Sequence, residues 1–323
     1  MPIDDTLARW SDVSFETAFV VYLLAAILFI AQLATTRTAV TRDSEAATRE
    51  LVTAATSSTP GLVVAAPRRA ASERLERMGL GLVIIALILH VGSIVLRGVA
   101  TGRPPWGNMY EFVSVTCAAG ILVGLVVLRS KHLRTLWLFV LVPTLILLFV
   151  AGTVLYANAA PVVPALQSYW LPVHVSIISL GSGVFLISGA ASVLFLIRIR
   201  LSDDGPADSR MRRFAARLPT ARALDRLAYQ TTIFAFPLFG MGVILGAIWA
   251  EAAWGRFWGW DPKETVSFIT WIVYAAYLHA RATSGWRDTR AAWINIVGFV
   301  AMLFNLFIIN MVVSGLHSYA GLN

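Results

Sequence analysis

Four tryptophans fall within the twelve residues 249–260, in the segment WAEAAWGRFWGWDPKE at 249–264, which we call the tryptophan loop. Trp254, Trp258 and Trp260 are separated by Gly255 and Gly259. An aromatic belt at a membrane surface accounts for one or two tryptophans, and it does not require glycines between them. Flat indoles spaced by glycines can instead face a large, planar, apolar ligand.

The tryptophan loop ends in DPKE, which is typical of a helix start. Asp261 is a good N-cap residue, Pro262 suits the first helical position, and Glu264 completes a capping box. These residues predict that a helix begins here and holds the tryptophans in place. Arg256 and Lys263 are cations that can pair with the carboxylates of a ligand.

The sequence contains five histidines. His90 and His279 lie inside apolar stretches, where an ionisable group is costly and by default indicates function. His174 and His317 lie at the ends of apolar stretches, whereas His132 lies among basic residues, where we expect it to be solvated. Paired imidazoles are typical ligands of a b-type heme. Zinc fits worse, because nothing in the sequence resembles a tetrahedral Cys/His cluster.

The elements that position these residues are long apolar segments. Only 14% of the residues are charged, against about 25% in soluble domains. A transmembrane helix needs roughly 20 apolar residues. Eight segments qualify, at 15–34, 79–97, 109–128, 135–156, 173–197, 227–249, 265–281 and 292–313. The sequence therefore predicts an all-α integral membrane protein, a bundle of about eight transmembrane helices.

The basic residues predict how this bundle is oriented. Of the 26 Lys and Arg residues, 21 lie in four loops, at 35–78, 129–134, 198–226 and 281–291. The positive-inside rule predicts that these loops are cytoplasmic and that both termini are extracytoplasmic. The loops 98–108, 157–172 and 250–264 are then also outside, on the same side as His174 and His317. These positions explain the net charge of +8 without a nucleic acid partner.

The depths of the two intramembrane histidines differ. The predicted spans place His90 about 3 Å outward of the centre of its helix and His279 about 9 Å inward of the centre of its own. Two ligands of one iron must lie at a similar depth, so the sequence does not show that these two meet. Cys117 is the one cysteine, so the chain has neither a Cys-x-x-Cys pair nor a c-type heme attachment site.

The stretch WGRFWGWDPKETVSFITWIVYAAYLHAR resembles the "WWD" segment of the CcsA/ResC cytochrome c biogenesis proteins of System II, also called CcsB in some bacteria. The resemblance continues in LQSYWLPVHV around His174 and in GLHSYA around His317. A weaker match is LILHVGSIVLRGVATGRPPWGNMYEF, which contains His90. The tryptophan motif alone would also admit the CcmC and CcmF proteins of System I.

This resemblance implies a division of the chain and a set of ligands. Residues 79–323 would form the CcsA-like heme-handling membrane domain. Residues 1–78 lie outside this match, and their composition, rich in Ala, Thr, Ser and Arg at 35–78, predicts the first transmembrane helix and a variable, partly disordered cytoplasmic loop. His174 and His317 correspond to two external heme ligands, and His90 and His279 to the intramembrane ligands of a second heme. The WWD motif corresponds to Trp254, Gly255, Trp258, Trp260 and Asp261.

The resemblance also implies a function. The chain would carry heme b across a bacterial plasma membrane and join it to apocytochrome c, as the membrane subunit of a holocytochrome c synthase. Its partners would be a separate ResB/Ccs1-type membrane protein, an apocytochrome c presenting Cys-x-x-Cys-His, and a thioredoxin-like thiol reductant. No catalytic residue is assigned, because the sequence offers no obvious general base.

Two other functions remain open on sequence alone. A heme exporter would bind heme and join it to nothing. A membrane cytochrome b subunit would transfer electrons, although such subunits usually place their histidine pairs inside the bundle.

Overall fold

The computed structural model describes residues 3–54, 71–162, 164–203, 214–215 and 217–317. The described residues form eight α-helices and two short 3-10 helices, Lys131–Leu136 and Pro164–Gln167. The α-helices are α1 (Asp5–Ala54), α2 (Ala71–Thr101), α3 (Met109–Val127), α4 (Trp137–Thr153), α5 (Trp170–Asp203), α6 (Ala221–Trp254), α7 (Pro262–Ala282) and α8 (Thr289–Met311). Each of the eight predicted segments coincides with one helix, which confirms the predicted helical bundle.

Most of the helices are longer than the apolar segments that predicted them. α2, for example, begins at Ala71, eight residues before the predicted span, and its first turns carry Glu73 and Glu76. Backbone hydrogen bonds within a helix do not depend on lipid, so a helix continues past the hydrocarbon until its sequence stops it. The backbone is likewise helical through Ala54, inside the loop predicted to be partly disordered, and residues 55–70 lie outside the described residues.

Seven of the eight helices are long and apolar enough to cross a membrane. The exception is α7, which carries charged and hydroxyl-bearing side chains among its 21 residues. It nevertheless runs from the tryptophan loop to Arg281, whose guanidinium pairs with Asp225 at 2.6 Å near the start of α6. Because it connects the same two ends as its neighbours, α7 completes an eight-helix membrane bundle.

One end of the bundle gathers the N-terminal residues and three loops. The amide of Asp4 donates to the carbonyl of Ala100 at 3.0 Å, where α2 ends. The Arg97 side chain bonds to Glu111 at 3.2 Å and to the carbonyl of Ala157. Trp106 of the loop after α2 lines the same pocket as His317. These contacts place the described residues near both termini at one end, as the topology prediction requires.

Two helix pairs form the frame of the bundle. α1 packs along α2 and α5 packs along α6, while α3 lies between the pairs and α7 and α8 close the side of α5 and α6. α3 and α5 approach most closely at two glycines. A Cβ added to Gly183 would lie 3.0 Å from the backbone nitrogen of Gly120. The two helix backbones would therefore have to move apart to accept a side chain there. This contact sets the distance between the helix that carries His174 and the helix that follows the 102–108 loop.

Widening this contact tests whether it holds the bundle together. We expect Gly183→Leu to destabilise the protein by about 1–3 kcal/mol, because overpacking forces the backbones apart. The measurement is the midpoint of thermal unfolding of the purified protein in detergent. Gly92→Leu in α2 is the matched control, since a side chain there meets nothing within 4 Å. Equal midpoints for the two variants would show that the α3–α5 contact is not limiting.

Candidate functional site

A pocket opens at the end of the bundle that carries the tryptophan loop. Its empty space, counted together with the part that opens outward, is about 1180 Å³. Both His174 and His317 line this pocket, although 143 residues separate them in the chain. The structure therefore brings together the two histidines that the sequence placed on one side of the membrane.

His174 is held from two sides in the second turn of α5. Its Nδ1 donates to the carbonyl of Gly242 at 2.8 Å, which leaves Nε2 as the nitrogen with a lone pair. Its ring stacks on Trp249, with centroids 5.9 Å apart and planes 6° from parallel. A Cβ on Gly246 would lie 2.8 Å from the imidazole Cε1, so a glycine is required for the ring to fit against α6.

His317 is held by Asp261 at the start of α7. Its Nδ1 lies 2.8 Å from the Asp261 Oδ2, and the amide of Leu316 donates to the Asp261 Oδ1 at 2.8 Å. Burial lowers the pKa of His317, although the hydrogen bond to Asp261 opposes that shift. Desolvation raises the pKa of Asp261, but hydrogen bonds from His317 and Leu316 outweigh it and hold that pKa below its usual value. The pair is thus a neutral imidazole oriented by a carboxylate.

Trp249 contacts both histidines. Besides stacking on His174, it contacts His317 edge-on at 5.6 Å between centroids. Trp254 contacts both Trp249 at 4.8 Å and His317 at 5.0 Å. Trp249 is one of the four tryptophans of the tryptophan loop, but its position predicts no particular role, because a tryptophan at the end of a predicted span is typical of an interfacial belt. The i, i+5 spacing to Trp254 gives no periodic signal that would distinguish it.

The predicted capping box is present at the start of α7. Asp261 accepts from the Lys263 amide, and the Glu264 carboxylate accepts from the Asp261 amide at 3.1 Å. The same carboxylate also accepts from the Gly259 amide at 2.9 Å and from the Arg256 guanidinium at 3.3 Å. One glutamate therefore fixes the whole turn, and it engages the arginine that was predicted to pair with ligand carboxylates.

The remaining motif positions fall on different surfaces. Trp258 lines the pocket, whereas Trp260 is 68% exposed. Gly255 ends α6 in the left-handed conformation at φ 70°, which suits glycine. Trp260 is also in the left-handed conformation, at φ 56°. This conformation is strained for a tryptophan but not for a glycine. Its conformation turns the chain into the Asp261 cap.

Lys263 lines the pocket on the side of α8. Its ammonium donates to the Asn310 Oδ1 at 2.7 Å and lies 3.5 Å from the carbonyl of Asn305. Of the two cations singled out in the sequence, this is the one that faces the pocket.

The intramembrane histidines do not meet. His90 is fully buried between α1 and α3, where its Nε2 lies 2.9 Å from the Ser114 hydroxyl and its ring contacts Phe15 and Tyr22. His279 is exposed in the last turn of α7. α2 packs on α1 and α3, whereas α7 packs on α6 and α8. The structure thus does not assemble the second pair into one site.

The fold and the pocket define a multi-pass membrane protein with a two-histidine pocket at one end of its bundle. A model of the family described as cytochrome C assembly protein matches residues 106–317. The chain is similar to a cytochrome c biogenesis protein CcsA of Guillardia theta, with 35% identity over 263 residues, 76% of this chain and 86% of that protein. It is 33% identical over 297 residues to the protein of that name from Gloeobacter violaceus, covering 77% of this chain and 88% of the other.

The chain therefore belongs to the CcsA family of cytochrome c assembly proteins, as the combined resemblance of the tryptophan loop and the segments around His174 and His317 predicted. Among solved structures, the cytochrome c heme lyase CcmF has a similar fold, with a TM-score of 0.63 and 16% sequence identity. That match covers 95% of this chain, but this chain spans only 47% of the CcmF chain. It shows a shared fold.

The carboxylate of Asp261 both caps α7 and contacts His317. Two substitutions at this position test how much these contacts stabilise the protein. We expect Asp261→Ala to cost about 1–3 kcal/mol, because it removes both the helix cap and the acceptor of the Leu316 amide and the His317 imidazole. Asp261→Asn keeps a good cap and should cost less. The midpoint of thermal unfolding measures both.

Asp288 provides the matched control, since it precedes α8 and its side chain makes no capping hydrogen bond. Asp288→Ala should change the midpoint little. If Asp261→Ala were no more harmful than Asp288→Ala, the central position of Asp261 would be refuted.

Proposed function

We propose that this protein binds heme in the pocket between α5 and the tryptophan loop, for attachment to apocytochrome c in cytochrome c biogenesis. The observation that carries the proposal is that His174 and His317 line one pocket and both contact Trp249. A porphyrin iron needs only two axial ligands. A bare ion usually needs more, and the described residues contain no group of three or more His, Cys, Asp or Glu placed to hold one.

The rest of the pocket suits a flat, largely apolar ligand with one polar end. Apolar side chains from four helices line it, namely Ile178, Phe239, Val243 and Met302 with Phe112. Trp249 and Trp258 add indole surfaces, which favour stacking on a conjugated ring. Lys263 adds a cation. This combination matches the apolar ring and the two carboxylates of heme.

The role of the chain in attachment is to hold and present the heme. His174 and His317 would bind the iron through Nε2, and the histidine of an incoming Cys-x-x-Cys-His segment would replace one of them. Each cysteine thiol would then add across one vinyl group, with sulfur bonding to one carbon and the proton going to the other. This addition balances without an oxidant, so it depends on reduced thiols and on positioning.

The family and the charge pattern support a proposal for the membrane that holds this pocket and for its protein partners. We place the pocket on the outer face of a bacterial plasma membrane, where the positive-inside rule puts the tryptophan loop. A ResB/Ccs1-type membrane protein would be the partner that receives or presents the apocytochrome. A thioredoxin-like reductant would keep the client thiols reduced.

Replacing either iron ligand tests the proposal directly. We expect His174→Ala and His317→Ala each to lower heme affinity by about tenfold or more, because a heme loses one of two axial bonds. Absorption spectra of the purified protein measure bound heme and its ligation. Cells that also express the ResB/Ccs1-type partner and a Cys-x-x-Cys-His client report covalent heme on the client.

His132→Ala is the matched control, because His132 is exposed at the opposite end of the bundle. Wild-type spectra and wild-type covalent heme in both pocket variants would overturn the proposal. Heme binding without covalent heme on the client would instead identify an exporter. Reduction of the bound heme by quinol would identify an electron-transfer subunit.

A second heme at His90 and His279 stays a separate prediction. For His90 to bind iron, the contacts with Ser114, Phe15 and Tyr22 would have to open. His90→Ala and His279→Ala should each lower heme content if these residues act on the route of heme into the pocket. Heme content equal to that of the wild type in both variants would remove them from the function.

A further inference from the structure

Two loops beside the pocket are built alike. The segment WGNMYE at 106–111 leads into α3, and WGWDPKE at 258–264 leads into α7. Asn108 caps α3 by accepting from the Glu111 amide at 2.8 Å, just as Asp261 caps α7 ahead of Glu264. Each loop thus places a Trp-Gly pair directly before a capped helix.

The hydrogen bonds inside the two loops also correspond. Glu111 accepts from the Gly107 amide at 2.7 Å and from the Arg103 guanidinium at 2.9 and 3.1 Å. Glu264 accepts from the Gly259 amide and from the Arg256 guanidinium in the same way. In both loops a Cβ on the glycine would overlap the arginine, so the guanidinium lies against the glycine.

The hydrogen bonds of each loop hold one tryptophan at the pocket. Trp106 lines it from the α3 side, as Trp258 does from the α7 side. The indole Nε1 of Trp106 is buried and has no hydrogen-bond partner among the described residues. A buried donor without a partner is costly, so this N–H is suited to an acceptor that a ligand brings.

Lys263 presents a second donor near the same helix end. Its Nζ lies 5.9 Å from the centre of the Phe112 ring, in the first turn of α3, which directly follows the loop of Trp106. Its two polar contacts are oxygens of Asn305 and Asn310, and no described carboxylate lies within ion-pair distance. Lys263 is part-buried, and an ammonium held partly away from water is stabilised most by an anion.

We infer that Trp106 and Lys263 bind the carboxylate end of the ligand, with the indole N–H and the ammonium as the two donors. This inference rests on the proposed heme pocket. The sequence offered both Arg256 and Lys263 as cations that could pair with ligand carboxylates. We assign this role to Lys263, because the Arg256 guanidinium pairs with Glu264. The loop of Trp106 would then contribute directly to ligand binding, besides connecting α2 and α3.

Porphyrins with and without carboxylates separate this role from simple packing. The purified full-length protein, freed of heme, is titrated in detergent with ferric protoporphyrin IX and with its dimethyl ester. The wild type should prefer the acid by about tenfold or more, since a charge-assisted hydrogen bond contributes that much. Lys263→Met and Trp106→Phe should each reduce this preference while leaving affinity for the ester nearly unchanged.

Trp286→Phe and Lys131→Met are the matched controls, because both residues are exposed at the opposite end of the bundle. Equal loss of affinity for acid and ester in Trp106→Phe and Lys263→Met would overturn the inference and leave these residues as packing. An unchanged preference in both variants would also overturn it. Failure of the wild type to bind either porphyrin would be a failure of the proposed function itself. Trp106→Phe keeps the ring, so it provides the test even if Lys263→Met does not fold.

Discussion

The carboxylate of Asp261 is the group on which the site depends, because it joins the start of α7 to the segment that follows α8. One oxygen bonds to the Leu316 amide and the other to the His317 imidazole, while the same side chain caps α7. The start of a membrane helix and the position of a candidate iron ligand are therefore fixed by one residue. Glu264, three residues on, fixes the tryptophan loop against that same helix start. The charged residues that cap α7 thus hold the histidine and the tryptophans of the pocket in place.

The parts of this arrangement that are local in sequence could be predicted. The capping box at α7 needs only four consecutive residues, and the eight helices need only apolar length. Which loops share one end of the bundle follows from the distribution of their basic residues. Each of these properties is set within one segment or by a simple count, so no knowledge of packing is required.

The parts that depend on helix packing could not be predicted. Trp249 contacts both histidines only because α6 packs along α5 with that face turned inward. The sequence likewise does not show that the Arg256 guanidinium pairs with Glu264 at 3.3 Å. Trp106 belonged to a segment noted only for His90, and its place at the pocket follows from the contact between α3 and α5.

The direction of the helices supports the chemistry of the pocket. α3, α5 and α7 all begin at this end of the bundle, and a helix N-terminus carries partial positive charge. That charge disfavours imidazolium and favours anions, so it acts in the same sense as burial at His317. Glu111 accepts from the Gly107 amide ahead of α3, and Glu264 accepts from the Gly259 and Asp261 amides ahead of α7. Each glutamate also pairs with an arginine, Arg103 or Arg256. The helix starts therefore favour neutral imidazoles, and they would favour the carboxylates of a porphyrin bound in the pocket.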